Sequence, residues 1–434
     1  MTSLIIPIMA VAALTHPQHT DTLRWDLSQC LDYAHEHNVQ LKQSRLSADA
    51  ARYTLEASRA RWQPTLDFAT THTLQNTPFA EQGDKNAYNS SYGLNASWTV
   101  YDGGNRTASI RRDRASLRAA EQNAEAERQT IDMEILKLYI NLLYAREAIA
   151  VNTELAAVSA AQEERARALL ESGRMARPDY AQLLAQAESD RYEVASARAS
   201  YASRCVQLKQ WLELDLFDTV EVQDVTITDE MISTPLMPIA EAYAMALEAD
   251  ANLRARKLRT DVAAESVKTA RSSGLPSVAL QAGVGSGYYT MQSGAWGSQM
   301  KRGLSEQLGL TVAVPIFNQK QTRTAVAQAR IEELNAEYDF HTREDEIGQS
   351  LEEWYVSSNS STSRYEAAAA KESAAALSGE MLDAKFSVGY VEVTDMIQAH
   401  ATLSSARHER LQAKYMAVLA RKMIEYLTTA NVAL

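Results

Sequence analysis

Between Asn105 and Ser172 the chain contains no glycine and no proline, the two residues that most strongly interrupt regular structure, and the interval is rich in Ala, Glu, Arg, Leu and Gln. It predicts one helix of about 68 residues, roughly 100 Å long at about 1.5 Å per residue. A compact domain cannot contain such a rod, so the helix needs lateral partners along its length. The sequence supplies them. Breaker-free intervals also run from Ser28 to Gln63, Asp179 to Thr234, Ile239 to Ser273 and Asp395 to Leu434, and the window Gln319 to Val388 is interrupted only by Gly348 and Gly379. Helices that return after short turns can pack as antiparallel, coiled-coil-like neighbours.

Twelve of the 16 glycines fall in two windows, 83–104 and 274–309, where the apolar period changes from helical to alternating. Tyr92, Leu94, Ala96, Trp98 and Val100 share one face of a strand, with Gly93, Asn95, Ser97 and Thr99 on the other. Leu308, Leu310, Val312, Val314 and Ile316 alternate in the same way with Gln307, Gly309, Thr311, Ala313 and Pro315. Weaker partner strands follow Pro64, with Leu66 and Phe68, and Pro276, with Val278, Leu280, Ala282 and Val284. Ten alternating residues are how a membrane-spanning β-strand reads, although a half-buried soluble sheet has the same period.

The chain also matches itself. At an offset of about 212, Ala34 falls on Ala246, Leu41 on Leu253 and Pro64 on Pro276; beyond the glycine-rich window the offset becomes about 216, with Trp98 on Val314, Tyr139 on Tyr355, Gly173 on Gly389 and Asp179 on Asp395. The length change is confined to a hairpin loop, where insertions are tolerated. The expected organisation has residues 1–22 as a signal peptide and tail. Residues 23–214 form repeat one, with helices 28–63, 105–172 and 179–214 and strands about 64–75 and 90–101. Residues 215–237 form an equatorial linker, and residues 238–430 form repeat two, with helices 238–273, 319–388 and 395–429 and strands about 276–289 and 305–317. Four strands make an open sheet whose edges cannot stay unpaired in lipid, so closure must come from other subunits.

Other features exclude more than they assign. With 43 Lys and Arg against 55 Asp and Glu, the net charge of −12 has the wrong sign for a protein that neutralises phosphates, so nucleic acid is not an expected partner. Cys30 and Cys205 lie far apart inside helical patterns and read as packing residues. The eight histidines are scattered; His35 and His37 do not share a helix face, and His400 and His408 are expected on a solvated one. No nucleophile elbow, P-loop or dinucleotide fingerprint occurs, so neither catalysis nor a cofactor is expected. Leu4 to Leu14 reads as the apolar core of a secretory signal, with Ala10-Val11-Ala12 as its cleavage motif.

The opening Trp25-Asp26-Leu27-Ser28-Gln29-Cys30-Leu31-Asp32-Tyr33-Ala34 with Asn38, the strand ends Trp98-Thr99-Val100-Tyr101-Asp102-Gly103-Gly104 and Val314-Pro315-Ile316-Phe317-Asn318, and the turns Ser172-Gly173 to Asp179 and Phe386 to Asp395 resemble the TolC-like outer membrane efflux protein family in order, spacing and duplication across about residues 23–430. The resemblance implies an α+β membrane protein: a homotrimer with four strands per protomer in one transmembrane β-barrel and a long antiparallel helical barrel in the periplasm. It implies a passive exit duct of a tripartite efflux or type I secretion system, with a periplasmic adaptor, an inner-membrane pump of the RND or ABC class and outer-membrane lipid as partners. On that arrangement Asn95, Ser97, Thr99 and Gln307 line the barrel lumen, while Leu94, Trp98, Leu310, Val312 and Val314 face lipid.

By the same resemblance the periplasmic tip holds Gly173, Pro178, Asp179, Gln182, Gly389, Thr394, Asp395 and Gln398. Asp179 and Asp395 each start a helix, where a carboxylate suits the positive dipole end and can cap it. In the family, acidic residues near these turns line the closed aperture. Gln182 and Gln398 stand where some members carry a second acid. The competing reading is a non-conducting coiled-coil scaffold or adaptor, which leaves the glycine-rich hairpins unexplained.

Overall fold

The computed structural model describes residues 23–79, 85–215, 217–387 and 390–432. The expected signal segment, 1–22, and the tip residue Gly389 lie outside the described residues. In chain order the elements are β1 (Leu23–Trp25), α1 (Leu27–His37), α2 (Val39–Ala60), β2 (Thr65–Asn76), β3 (Asn86–Tyr101), α3 (Asn105–Glu171), α4 (Arg177–Trp211), β4 (Val220–Val222), α5 (Asp229–Ser233), α6 (Ile239–Ala249), α7 (Ala251–Ser272), β5 (Ser277–Tyr289), α8 (Trp296–Arg302), β6 (Ser305–Ala313), α9 (Gln321–Ser387) and α10 (Val393–Thr429). The chain is mostly helical, with one four-stranded antiparallel sheet in the order β2, β3, β5, β6.

The 67 residues of α3 and the 67 of α9 each run about 100 Å at about 1.5 Å per residue. Each is packed over part of its length by the shorter helix that follows it, α4 on α3 and α10 on α9, and α7 lies between α3 and α9. The main core sits midway along the rods. There Ile131, Ile135, Leu136, Tyr139, Leu142 and Leu143 of α3 pack with Leu411, Val418, Leu419 and Met423 of α10 and with Leu27, Cys30 and Ala34 of α1. The linker adds Val220, Val222 and Ile232, and β4 pairs in parallel with β1.

Two expected helices are each broken in two. Asn38 leaves the helical conformation, with φ −59° and ψ 125°, and its Oδ1 accepts from Gln40 N and Leu41 N. Asp250, with ψ 111°, accepts from Leu253 N in the same manner and pairs with Arg343 at 2.7 Å. A side chain that satisfies the first free N–H groups of one helix can end its predecessor without glycine or proline. The last strand is shorter than expected. β6 stops at Ala313, so Val314 lies beyond the sheet rather than on its apolar face, because Pro315 cannot donate to a ladder and holds the chain off it.

Candidate channel-lining site

The sheet is built with two unlike faces. Cross-strand partners lie on the same side, so the rows Leu66, Ala96, Ala282, Leu308 and Phe68, Leu94, Val284, Glu306 share a face with Trp98, Leu280, Leu310 and Val312. Several of these side chains stand open: Leu308 is 77% exposed, Phe68 67% and Leu310 64%. The rows between them bring Asn95 beside Asp67, Gly283 and Gln307, and Ser97 beside Thr65, Gln281 and Gly309, with Thr99 across from Ala279 on that same opposite face. Across these rows apolar side chains therefore dominate one surface, Glu306 excepted, and polar and glycine positions the other. A bulge between Thr99 and Tyr101 takes Val100 out of the alternation. The outer edges of β2 and β6 have no strand partner among the described residues.

Beyond the start of β6 at Ser305 the free edge of β5 is covered by α8. The Gln299 amide does a strand's work there, accepting from Tyr289 N at 3.0 Å and donating to Tyr289 O at 3.2 Å. Ser286 Oγ donates to Met300 O. The sequence gives no clear sign of this helix, since its residues, Trp296 to Arg302, include Gly297 and sit in the glycine-rich window.

Where the sheet joins α3, the turn Asp102-Gly103-Gly104 requires its glycines. Gly103 and Gly104 have φ of +66° and +85°, and a Cβ at Gly103 would come within 2.6 Å of Leu275 Cβ. Arg106, 2% exposed, locks this junction. Its guanidinium donates to Asp102 Oδ2 at 3.1 Å and Val100 O at 3.0 Å and lies over the Trp62 ring at 4.1 Å. Trp98 Nε1 donates to Trp62 O at 2.9 Å. Sequence reading missed Arg106, although its place one turn after an aspartate-glycine pair was a usable signal.

At the far end of α3 the chain turns through a Schellman motif: Gly173 at φ +72°, Arg174 N donating to Leu169 O, and Gly173 N donating to Leu170 O. Tyr390 N makes the corresponding bond to Lys385 O. Ala166, Leu183 and Val393 form a small core with Met175, Tyr180, Phe386 and Ile397. This brings the starts of α4 and α10, and with them Asp179 and Asp395, to one end of the molecule. Gly173, Pro178, Gln182, Thr394, Asp395 and Gln398 are exposed and Asp179 is half-buried.

Neither aspartate occupies the capping position. The helices begin earlier, at Arg177 and Val393, with Ala176 and Glu392 as caps that make no side-chain cap bond. Both carboxylates lie within the first turn, where they meet the positive end of the helix dipole. Close by, Tyr180 Oη donates to Glu163 Oε1 at 2.7 Å and Arg167 Nη2 does so at 2.9 Å. The Tyr180 bond leads in holding the Glu163 carboxyl below its ordinary range.

The histidines of α10 face inward, contrary to the expected solvated face. His400, 6% exposed, places Nε2 at 2.7 Å from Asp190 Oδ2 of α4. Burial pushes the Asp190 carboxyl up, but the hydrogen bonds of His400, Ser159 and Gln186 outweigh it and hold the group low. His408 Nε2 lies 2.9 Å from Asn152 Oδ1 of α3, and burial pushes its pKa down. The reason is helical phase: Leu411, Tyr415 and Val418 line the inner face of α10, and both histidines share it through polar partners on the facing helices. His35 bonds to the buried Asp132 at 2.6 Å while His37 stacks on Tyr33. Cys30 is fully buried, and its thiol is pushed up to about 12 by burial and Asp26.

Comparison with known proteins agrees with this architecture. The chain is 22% identical to the outer membrane protein TolC of Escherichia coli (strain K12) over 399 residues, which is 90% of this chain and 79% of TolC. It superposes on a crystal structure of CusC with a TM-score of 0.82 at 16% identity, covering 99% of this chain and 98% of that one. On the CmeC outer membrane channel of Campylobacter jejuni the TM-score is 0.79 at 18% identity, covering 99% and 93%. The pattern of the family described as "Outer membrane efflux protein" matches residues 30–212 and 242–428, most of the sequence, and the chain therefore belongs to the outer membrane efflux protein family.

Proposed function

We propose that this chain is one of three identical protomers of an outer-membrane exit duct, through which solutes delivered by an inner-membrane pump leave the cell passively. The observation that carries this reading is the sheet itself: an exposed apolar face, a polar face and two edges unpaired among the described residues, joined to rods about 100 Å long. Four strands from each of three copies would close a twelve-stranded barrel and leave no free edge in lipid. Leu94, Trp98, Leu310 and Val312 would then face lipid, and Asn95, Ser97, Thr99 and Gln307 a wet lumen. The rods would continue the lumen into the periplasm, where a periplasmic adaptor and a pump of the RND or ABC class are the expected partners. A scaffold that never entered a membrane would have no use for the exposed apolar face.

The two halves, 23–214 and 238–430 around the 215–237 linker, are read as a duplication. The breaks at Asn38 and Asp250, the left-handed pairs Gly103-Gly104 and Gln319-Lys320, and the bonds closing both tip turns recur at the offsets found in the sequence. The tips, with Gly173, Pro178, Asp179, Gln182, Gly389, Thr394, Asp395 and Gln398, would form the periplasmic aperture, where carboxylates from three copies would favour cations.

Conductance of the purified protein in a planar bilayer tests this. Discrete, cation-preferring openings are expected, with Asp179→Ala and Asp395→Ala each weakening the preference. A folded trimer that inserts without conducting would sink the duct, and unchanged selectivity in both variants would remove the aspartates from the aperture.

A further inference from the structure

The apolar face of the sheet carries two side chains that do not belong in lipid. Among the described residues of that face, the Asp, Glu, Lys, Arg or His positions are His72 on β2 and Glu306 on β6, each exposed and each on an edge strand. Glu306 shares its row with Phe68, Leu94 and Val284, so its carboxylate sits at the rim of the apolar band rather than in a polar cluster. The two cannot meet within one copy. Three strand spacings of about 4.8 Å put β2 and β6 about 14 Å apart.

We propose that neighbouring copies join edge to edge, β6 of one along β2 of the next, with the Glu306 carboxylate hydrogen-bonded to the partner's His72. This rests on the trimeric barrel reading and adds the register of its three joints. The His72 ring is oriented within its own copy: its Nδ1 lies 2.8 Å from Tyr88 Oη on β3, and its Nε2 lies 3.1 Å from Thr70 Oγ1 on the edge strand. Glu306 would replace the Thr70 hydroxyl at Nε2. A lone carboxylate on a lipid-facing surface is unfavourable, and a donor across the joint removes that cost while charge complementarity selects the alignment.

Placing Glu306 directly across from the partner's His72 fixes every other pair. The nine residues of β6 then lie along residues 65–73 of the partner, each with an opposite residue. On the outer face Leu310 meets the partner's Phe68, and Val312 meets the partner's Leu66. On the inner face Thr311 meets the partner's Asp67, and Gln307 meets the partner's Thr71. Within a copy, Gly309 lies on the row of Thr65 through Ser97 and Gln281; across the joint it meets the partner's Ala69. That offset of about four residues per copy gives a stagger of about 12 around the barrel and a strand tilt of roughly 35°, within the range of membrane barrels.

Cysteine pairs test the joint in membranes oxidised with copper phenanthroline. Glu306→Cys with His72→Cys is expected to link chains at least about fivefold more efficiently than Glu306→Cys with Thr70→Cys or Leu74→Cys, because a disulfide tolerates only a narrow range of Cβ separation. Glu306→Gln and His72→Phe should each lower the temperature at which the assembly dissociates, and combining them should lower it no further than the larger single effect. Trimers by native mass spectrometry that cross-link best at Thr70 or Leu74, or that show additive losses, would overturn this joint and leave the trimer standing. A protein that is monomeric in detergent and in the membrane would overturn both.

Discussion

Gly103 and Gly104 turn the chain from strand to rod in the left-handed region, and at the matching turn Gln319 and Lys320 hold φ of +53° and +66° with side chains that disfavour it. Two opposite outcomes follow. Gly103→Ala should destabilise the protein by at least about 1–2 kcal/mol, since strain is compounded by the approach to Leu275. Lys320→Gly should stabilise it by about 0.5 kcal/mol, the relief of strain being partly offset by the freer unfolded chain. Chemical denaturation of the solubilised protein separates the two. His408 gives a pH prediction. Burial lowers its folded pKa, so the folded state binds less proton, and the stability it confers is complete above the ordinary value near 6.5 and is lost as pH falls below it. The thermal midpoint should drop between about pH 7 and 5, and His408→Gln should flatten that drop. Sequence reading placed His408 on a wet face because Arg407 and Glu409 flank it, and neighbours in sequence point elsewhere on a helix.

Elements were legible where punctuation was strong. The limits of α3 and α9 follow from the distribution of Gly and Pro, and the strands from a change of period, because both signals are local. The breaks at Asn38 and Asp250 were not legible, since a side-chain cap leaves the helical pattern on either side intact. Asn38→Ala should cost about 1 kcal/mol, with amide exchange rising first at residues 39–41 and not along α3. The short β1 to β4 pairing escaped because three-residue strands carry no period of their own. Gln299 was also invisible: its role depends on where the pairing of β6 with β5 begins rather than on any neighbour in sequence. Removing its amide with Gln299→Ala should speed exchange at Tyr289 and open the segment 290–303 to protease while leaving the strand register of Gly283 and Gln307 intact.

At the scale of the whole molecule, the two faces of the sheet demand different solvents, and that asymmetry can be tested without knowing the cargo. Leu94 and Ser97 are three residues apart on β3 and lie on opposite faces. A positive charge at Leu94 would have to be placed in hydrocarbon, at a cost of about 2–4 kcal/mol near the midplane, three times over in a trimer. The same charge at Ser97 would meet water. Leu94→Arg should therefore leave the outer-membrane fraction while retaining its helical circular dichroism, because the main core lies around Ile135 and Leu419, at the middle of the rods. Ser97→Arg should remain in the membrane at ordinary levels and shift ion selectivity away from cations. The faces were readable from alternation alone, but which of them meets lipid becomes physical only once the edges of β2 and β6 are closed by other copies. Equal loss of both variants from the membrane would mean that both faces are buried against protein, and the sheet would then be a packed core instead of a barrel wall.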